Sequence, residues 1–311
     1  MAPFRVVVAL LDETQEFQRF QAADARIVAA RLGLQLEILF AENNAILQIQ
    51  QLFKVVHGRS NAARPDAVLV ETVSGEGLER VARTACRAGI GWVLINRQVS
   101  YLDALRREHS GIPIGAVSTD QVEIGRIQGR QFRALLPRGG RVLYIQGPQD
   151  TSAARERLQG AREAIRSSRI DLKVVEGQWT EASGREVMER WLRLKHHDSE
   201  LPDLVGCQND AMAVGARAAV AARTGDAGLR RCLFTGVDGL PEGGERLVRQ
   251  HQLAATVAVP SNIGPAFYAL VQALSARGPF PAQTLLSPAS HPELDRMLRA
   301  MGGVSPEAFT A

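Results

Sequence analysis

The sequence contains few lysines, aromatic residues and cysteines, and these shortages exclude several classes of protein. Only Lys54, Lys173 and Lys195 are lysines, and the other basic residues are arginines spread along the whole chain. Aromatic residues make up 5% of the sequence, and no basic segment is interleaved with them. Nucleic-acid sites combine clustered positive charge with stacking rings, so we expect no nucleic-acid partner despite the net charge of +4.

The three cysteines, Cys86, Cys207 and Cys232, lie far apart in the chain. No two of them have the spacing of a metal site, a redox motif or a disulfide framework. Each lies in or beside an apolar segment, so we expect buried free thiols.

No apolar run reaches the length of a membrane span. The N-terminus also lacks the pattern of a signal peptide, because Met1 to Arg5 leads directly into the short apolar run Val6–Leu11. We therefore expect either a cytoplasmic protein or the mature part of an exported one.

The motifs of common catalytic and cofactor sites are also missing. The chain has no P-loop and no nucleophile elbow, and its six histidines show no metal-ligand spacing. Gly75-Glu-Gly77 lacks the third glycine of a dinucleotide motif, and the adjacent acids Asp12 and Glu13 are expected to point apart. His196-His197-Asp198 is typical of a polar helix end. We therefore expect no cofactor, no metal and no enzymatic activity.

Short β-type runs alternate with amphipathic helical patterns along a chain of 311 residues that is 45% apolar and 23% charged. Such alternation predicts an α/β fold with parallel sheets covered by helices on both faces. The predicted strands are Arg5–Leu11, Leu36–Phe40, Ala67–Val70, Gly91–Ile95, Gly115–Val117, Arg141–Ile145, Leu172–Glu176, Leu204–Cys207, Cys232–Gly236 and Ala255–Val259. The predicted helices lie near residues 16–32, 44–59, 76–88, 121–136, 153–168, 182–196, 209–223, 243–250 and 261–276, with a last helical pattern over His291–Met301.

Ten such units are too many for one compact sheet, so the chain length predicts two lobes. Gly111, Pro113 and Gly115 indicate a lobe boundary between Ser110 and Asp120. Six prolines between positions 241 and 288 are typical of a chain that crosses between lobes more than once. We predict two doubly wound lobes, one of residues 1–118 and 260–285, the other of residues 119–259 and 286–311.

Polar and aromatic side chains follow the predicted strands, at the sheet edge where open parallel sheets bind ligands. In the first half they are Gln15, Phe17, Gln18, Thr72, Ser74, Asn96 and Arg97. In the second half they are Thr151, Ser152, Arg157, Trp179, Asn209, Asp210 and Asp238. Amides, charges and rings together suit a polyhydroxylated ligand, because hydroxyls need hydrogen bonds and C–H faces pack on rings.

Three of these positions carry local signals of their own. Thr151 or Ser152 can cap the helix that holds Arg157. Asp238 lies in a turn between two glycines, which aims its carboxylate. Trp179 follows a strand, and its position is compatible both with packing in the core and with contacting a ligand.

Five motifs in order resemble a known family of sugar-binding proteins. They are Asn96-Arg-Gln98, Thr151-Ser-Ala-Ala-Arg-Glu-Arg157 with Gly160, Gln208-Asn-Asp-Ala-Met-Ala-Val-Gly215, Gly236-Val-Asp-Gly239 and Leu253-Ala-Ala-Thr-Val-Ala258. The sequence resembles the ribose-binding-protein group of ABC importers, which is similar in fold to the ligand cores of LacI-type repressors. The resemblance spans Arg5 to about Ala276. It implies the type 1 periplasmic-binding-protein fold, with two lobes joined by a three-strand hinge.

The resemblance also implies a set of ligand-binding residues. The implied contacts come from Phe17, Arg97, Arg157, Asn209 and Asp238, with the ring of Trp179 stacked on the sugar. Gln15 stands where the family often has Asn, and Gln18 stands where ribose binders have a second aromatic residue.

Two departures from the family pattern affect the expected ligand. Asn96 stands where the family usually has Asp before Arg97, and Val259-Pro260 stands where ribose binders have Gln at the hinge. Both changes remove hydrogen-bond acceptors for hydroxyls. The expected ligand is therefore a sugar, with a cyclitol, a modified sugar or a less polar molecule as alternatives to ribose.

The mechanism that the resemblance implies is a hinged clamp that closes on a sugar or polyol. An ABC permease or a membrane sensor then reads the closed form, and we expect a monomer in the periplasm. The alternative is the ligand-sensing core of a regulator or signalling system, with a cytoplasmic location open. A DNA-reading helix-turn-helix would have to precede the first strand, and the sequence leaves no room for one there.

Overall fold

The computed structural model describes residues 3–58, 64–75, 77–194, 202–229, 232–276 and 278–300. Its strands are β1 (Arg5–Leu10), β2 (Gln35–Phe40), β3 (Ala67–Val70), β4 (Gly91–Ile95), β5 (Ile114–Thr119), β6 (Gly140–Gln146), β7 (Ile170–Glu176), β8 (Leu204–Cys207), β9 (Leu233–Thr235), β10 (Thr256–Ala258), β11 (Gln283–Leu286) and β12 (Ala289–His291). Its helices are α1 (Glu16–Leu32), α2 (Ala45–His57), α3 (Glu79–Arg87), α4 (Leu102–Glu108), α5 (Gln121–Leu135), α6 (Ser152–Ile165), α7 (Glu181–Arg193), α8 (Asp210–Leu229), α9 (Gly244–Arg249), α10 (Ile263–Ala276) and α11 (Leu294–Ala300).

The chain forms two compact units, each built from two segments. Lobe 1 comprises Met1–Thr119 and Pro260–Leu286, and lobe 2 comprises Asp120–Val259 and Ser287–Ala311. The chain therefore passes from one lobe to the other three times, after residues 119, 259 and 286.

Lobe 1 contains a six-stranded parallel sheet in the order β11-β5-β4-β3-β1-β2. The central strands β3 and β4 are apolar and buried throughout, because helices cover both faces of the sheet. One face packs on α2, α3 and α4 through Leu52, Val81 and Leu105. The other packs on α1 and α10 through side chains such as Ala25 and Phe267.

Lobe 2 contains a four-stranded parallel sheet in the order β7-β6-β8-β9. One face packs on α7 and α8 through Met188 and Met212, and the other packs on α5 and α6 through Phe132 and Ala161. The short strands β10 and β12 pair antiparallel beside this sheet. This ribbon joins two segments of lobe 2 that lie on either side of the chain's excursion into lobe 1.

The predicted α/β class with parallel sheets in two lobes is confirmed. Three elements lie where the sequence pattern predicted none, namely α4, β11 and β12. Each is short, and β11 and β12 consist only of exposed and half-buried residues, so neither has the continuous apolar run of a buried strand. The predicted polar helix end at His196-His197-Asp198 lies outside the described residues.

Candidate functional site

Lobe 1 gathers three of the predicted site residues around one carboxylate, that of Glu71. Glu71 Oε1 accepts a hydrogen bond from Asn96 Nδ2 at 2.8 Å, and Oε2 accepts one from Gln18 Nε2 at 3.1 Å. Arg97 Nε lies 4.0 Å from Glu71 Oε1. Glu71 is only 1% exposed, so these donors replace the hydration that its carboxylate loses.

The strand order of lobe 1 explains why these side chains meet. Strand β3 lies between β1 and β4, and Glu71 directly follows it. Asn96 and Arg97 follow β4, and Gln18 lies in the first turn of α1, which follows β1. Because parallel strands end at the same edge, the residues after three neighbouring strands converge there.

The segment that follows β3 is braced by side chains from both sides. Arg97 Nη1 donates hydrogen bonds to the carbonyl oxygens of Thr72 at 2.6 Å and Val73 at 2.8 Å. Gln48 Nε2 donates to Glu71 O at 2.8 Å, and Gln48 Oε1 accepts from Val73 N at 3.0 Å. Side-chain amide and guanidinium groups therefore hold this loop by hydrogen bonds to its backbone C=O and N–H groups.

The other two predicted site residues of lobe 1 lie apart from this network. Gln15 Nε2 donates to Asn43 Oδ1 at 3.2 Å, and Asn43 Nδ2 donates to Asp12 Oδ2 at 2.8 Å. This second group connects the loops that follow β1 and β2. Phe17 is 8% exposed, and its ring centroid lies 6.1 Å from that of Phe20.

In lobe 2, the buried guanidinium of Arg157 is held by two neutral oxygens. Arg157 Nε donates to Gln121 Oε1 at 2.8 Å, and Nη1 donates to Gln208 O at 2.5 Å. Gly160 makes this possible, because a Cβ added there would lie 1.9 Å from Val122 O on α5. The glycine of the family motif thus lets α6 approach α5 closely enough for Arg157 to reach Gln121.

Trp179 packs against Arg157, with its ring centroid 5.6 Å from the guanidinium carbon. It has the left-handed backbone conformation, with φ at 63°, and its carbonyl oxygen accepts a hydrogen bond from Asn209 Nδ2 at 2.8 Å. A Cβ added at Gly147 would lie 2.0 Å from the indole, so the ring fills the space above that glycine. Trp179 as a whole is half-buried, and it packs against the lobe 2 core.

Asn209 is buried at the start of α8, where it holds two backbone groups. Its Oδ1 accepts a hydrogen bond from Met212 N at 2.9 Å, which caps the helix, while its Nδ2 holds the Trp179 carbonyl. Thr151 caps α6 in the same way, because its Oγ1 accepts from Ala154 N at 3.4 Å. The predicted capping role of Thr151 is confirmed.

Asp238 lies in a strained turn after β9, with φ at 106°. Its backbone N–H donates to Val257 O, and its carbonyl oxygen accepts from Val259 N, both at 3.0 Å. The carboxylate of Asp210 holds the same turn, since Oδ2 accepts from Gly239 N at 2.8 Å. The turn is thereby tied to the residues through which the chain leaves lobe 2.

Sequence reasoning missed three polar residues that hold predicted site residues, namely Asn43, Glu71 and Gln121. Glu71 is the first residue after an apolar strand, a position that could have drawn attention to it. Gln121 is the first residue of α5, and no local pattern links it to Arg157, which lies 36 residues further on.

The described residues contain no group of three His, Cys, Asp or Glu side chains that could hold a metal ion. The three cysteines are buried free thiols, as predicted. Burial raises the pKa of Cys86 and of Cys232 to about 12, which keeps both thiols protonated.

Within the part of the chain that the structure describes, no helix combines the length and the apolar character that crossing a membrane requires.

A cavity of about 750 Å³ lies elsewhere in lobe 2, near the amino end of β9. Apolar side chains including Phe234, Leu253 and Met297 line it, together with Arg217 and Arg249. None of the predicted site residues lines this cavity.

The residues 6–278 match the family of the periplasmic binding protein domain, which covers most of the chain. The chain belongs to this family. This chain is 28% identical over 239 residues to the ribose import binding protein RbsB of Salmonella typhimurium. That match covers 76% of this chain and 73% of the relative.

Solved structures agree with the sequence match. A galactofuranose binding protein superposes with a TM-score of 0.81 at 23% identity, covering 97% of this chain and 100% of that one. The Caulobacter myo-inositol binding protein superposes with a TM-score of 0.77 at 22% identity, covering 93% of this chain and 95% of that one. These likenesses confirm the predicted type 1 periplasmic-binding-protein fold.

Proposed function

We propose that this periplasmic binding protein binds a sugar or polyol with the predicted site residues of both lobes and delivers it to an ABC importer. The cluster of Arg157, Trp179 and Asn209 carries the proposal. It combines a buried cation, the ring of a half-buried tryptophan and an amide within one lobe. A guanidinium supplies several donors in a fixed plane, which suits neighbouring hydroxyls, and an indole face suits sugar C–H groups.

The relatives support a carbohydrate ligand. The relative from Salmonella typhimurium is a ribose import binding protein, and the two structural neighbours are a galactofuranose binding protein and a myo-inositol binding protein. Furanose and cyclitol rings share a dense set of hydroxyls on a compact apolar frame. In the proposal, Asp238 accepts hydrogen bonds from such hydroxyls, while Arg97 and Arg157 donate to them.

The proposed cycle leaves the ligand chemically unchanged. The two lobes close on it, an ABC permease reads the closed form, and the protein acts as a monomer in the periplasm. The named relative is an import binding protein, so transport is favoured over a role as the sensing core of a regulator.

A thermal-shift series tests the proposal. The probes are D-ribose, L-arabinose, D-galactose, D-allose, D-fructose and myo-inositol. We expect at least one probe to raise the melting temperature, because a ligand at 100 times its Kd stabilises the folded state by about 2.7 kcal/mol. Arg157→Ala and Asp238→Ala should each abolish that shift, while the exposed Arg185→Ala and Asp171→Ala should leave it intact.

Two results would contradict the proposal. One is the absence of a shift with all six probes. The other is a full shift in both site variants, which would place the site away from Arg157 and Asp238. Closure is measured separately, as a decrease in the radius of gyration when the active probe is added.

A further inference from the structure

The family resemblance leads one to expect an acid directly before Arg97, and this chain has Asn96 there. In the structure, an acid instead stands directly after the neighbouring strand β3. Glu71 Oε1 lies 2.8 Å from Asn96 Nδ2, so an amide and a carboxylate face each other across the ends of β3 and β4. Both side chains are buried, at 1% exposure for Glu71 and 7% for Asn96.

The carboxylate of Glu71 accepts two hydrogen bonds and forms one ion pair. Asn96 donates to Oε1, Gln18 donates to Oε2, and Arg97 Nε lies 4.0 Å from Oε1. A buried carboxylate needs this degree of pairing, because an unpaired charge in the interior is strongly destabilising. Removing the charge therefore affects all three partners at once.

The backbone of residue 71 is fixed independently of its side chain. Gln48 holds the Glu71 carbonyl oxygen at 2.8 Å and the Val73 amide at 3.0 Å. The carbonyl oxygens of Thr72 and Val73 in turn hold Arg97. The same short segment thus positions Arg97 through its backbone and through its carboxylate.

We propose that Glu71 is a positioning residue that supplies the acid of this edge in place of an acid at position 96. It sets the orientation of Gln18, Asn96 and Arg97. Its effect on ligand binding rests on the proposed function, whereas its pairing with Asn96 does not. The proposal implies that the acid and the amide can be exchanged between positions 71 and 96.

The chemistry of each substitution predicts a distinct defect. In Glu71→Gln, the new amide donor must face the donor of Gln18 or of Asn96, so one hydrogen bond is lost and replaced by repulsion. In Asn96→Asp, two carboxylates face each other at the distance of a hydrogen bond. In the double variant, the amide now at position 71 can donate to the carboxylate now at position 96 and accept from Gln18, so every group has a partner again.

The experiment compares wild type, Glu71→Gln, Asn96→Asp and the double variant, with Glu79→Gln as control. Glu79 is an exposed glutamate of the same lobe that pairs with Arg83 outside this network. Two quantities are measured: the unfolding equilibrium constant in urea without ligand, and the Kd by calorimetry for whichever of the six probes above binds wild type.

We expect each single change at 71 or 96 to raise the unfolding constant and the Kd about 10- to 100-fold, the range for one charged hydrogen bond. The double variant should return to within about threefold of wild type in both measurements. The control should differ from wild type by less than about twofold. If the double variant recovers both the unfolding constant and the Kd, residues 71 and 96 act as a pair. Independent structural defects at the two positions would add instead of cancelling.

Several outcomes overturn the proposal. A double variant that is as unstable as the worse single variant shows that the acid and the amide do not form an exchangeable pair. Recovery of stability without recovery of Kd shows that the pair holds the fold but does not position the binding groups. If none of the six probes binds wild type, the proposed function fails, and the ligand-free unfolding cycle still decides whether the pair exists.

Discussion

Among the described residues, each lobe buries a carboxylate at the carboxyl edge of its parallel sheet, but the two acids, Glu71 and Asp210, hold different kinds of group. Glu71 in lobe 1 accepts hydrogen bonds from the side chains of Gln18 and Asn96. Asp210 in lobe 2 accepts from the backbone of Gly239 and the hydroxyl of Thr256. The acid of lobe 1 therefore orients predicted binding side chains directly, whereas the acid of lobe 2 shapes the loop that carries Asp238.

In lobe 2, the predicted binding groups make close contacts with backbone, amide and ring groups. Arg157 donates to an amide and a carbonyl oxygen, Asn209 is held by its helix cap, and Trp179 rests above Gly147. The carboxyl edge of a parallel sheet can therefore be organised in two ways. In lobe 1 side chains gather around one buried charge, and in lobe 2 they pack closely on the backbone. Substitutions in lobe 1 should therefore act mainly by removing charged hydrogen bonds, and substitutions in lobe 2 mainly by disturbing loop geometry and packing.

The largest expected effect is on the loop-shaping acid. In Asp210→Asn, the amide oxygen can still accept from Gly239 N, but the amide nitrogen faces Thr256, whose hydroxyl must turn to accept from it, so both charged hydrogen bonds are replaced by neutral ones. We expect the free energy of unfolding to fall by about 3 kcal/mol in urea titrations.

The control for Asp210→Asn is Asp171→Asn, an exposed acid on β7 of the same lobe. We expect it to change the free energy of unfolding by less than about 0.5 kcal/mol. Equal stabilities of Asp210→Asn and wild type would remove the distinction drawn between the two acids.

The second effect concerns the ring of Trp179. In Gly147→Ala, the new methyl group would lie 2.0 Å from the indole, so the ring must move. We expect a shift in tryptophan fluorescence and at least about a tenfold weaker affinity for the active sugar probe, equivalent to about 1.4 kcal/mol.

The matched control is Gly111→Ala, where an added Cβ meets no atom within 4 Å. This variant should keep the fluorescence and the affinity of wild type. If Gly147→Ala binds as tightly as this control, Trp179 is a packing residue rather than a ligand-stacking ring.

The smallest effect is a pH dependence in α6, next to Arg157. Burial raises the pKa of Glu156, with Arg155 opposing the change and Asp120 adding to it. A raised pKa means that the folded state favours the protonated acid, so this residue loses stabilising effect as pH rises through its pKa. Glu156→Gln should therefore be more stable than wild type at pH 8 and equally stable at low pH, as measured by urea unfolding.

For Glu163 on the same helix, the pKa shift has the opposite direction. Hydrogen bonds from Gln159 and Arg126 lower its pKa, so its ionised form is favoured in the folded state. Glu163→Gln should be slightly less stable than wild type at pH 8, with the difference vanishing at low pH. If Glu156→Gln were also less stable than wild type at pH 8, burial would not be the dominant influence on the pKa of Glu156.

Local pattern predicted most strands and helices, since apolar runs and helical periodicity are properties of neighbouring residues. It also predicted which polar residues follow the strands. It missed α4 because seven residues hold too little periodicity, and it missed β11 because an edge strand carries no continuous apolar run. The antiparallel pairing of β10 with β12 joins segments 33 residues apart, beyond any local signal.

The sequence proposes the residues of the candidate site, but the contacts that these residues make could not be predicted from it. Gln15 and Gln18 are three positions apart in sequence, yet one pairs with Asn43 and the other with Glu71. The sequence shows an amide at position 96, but it could not show that this amide pairs with the carboxylate of Glu71, which lies 25 residues away.

The family, the α/β class and the side chains at the ends of the strands could be inferred from the sequence alone, because they follow from residue order and periodicity. That β3 lies between β1 and β4, and hence that Glu71 meets Gln18 and Asn96, became known only from the three-dimensional fold. Strand order depends on hydrogen bonding and packing between segments far apart in the chain, and no local pattern of residues encodes it.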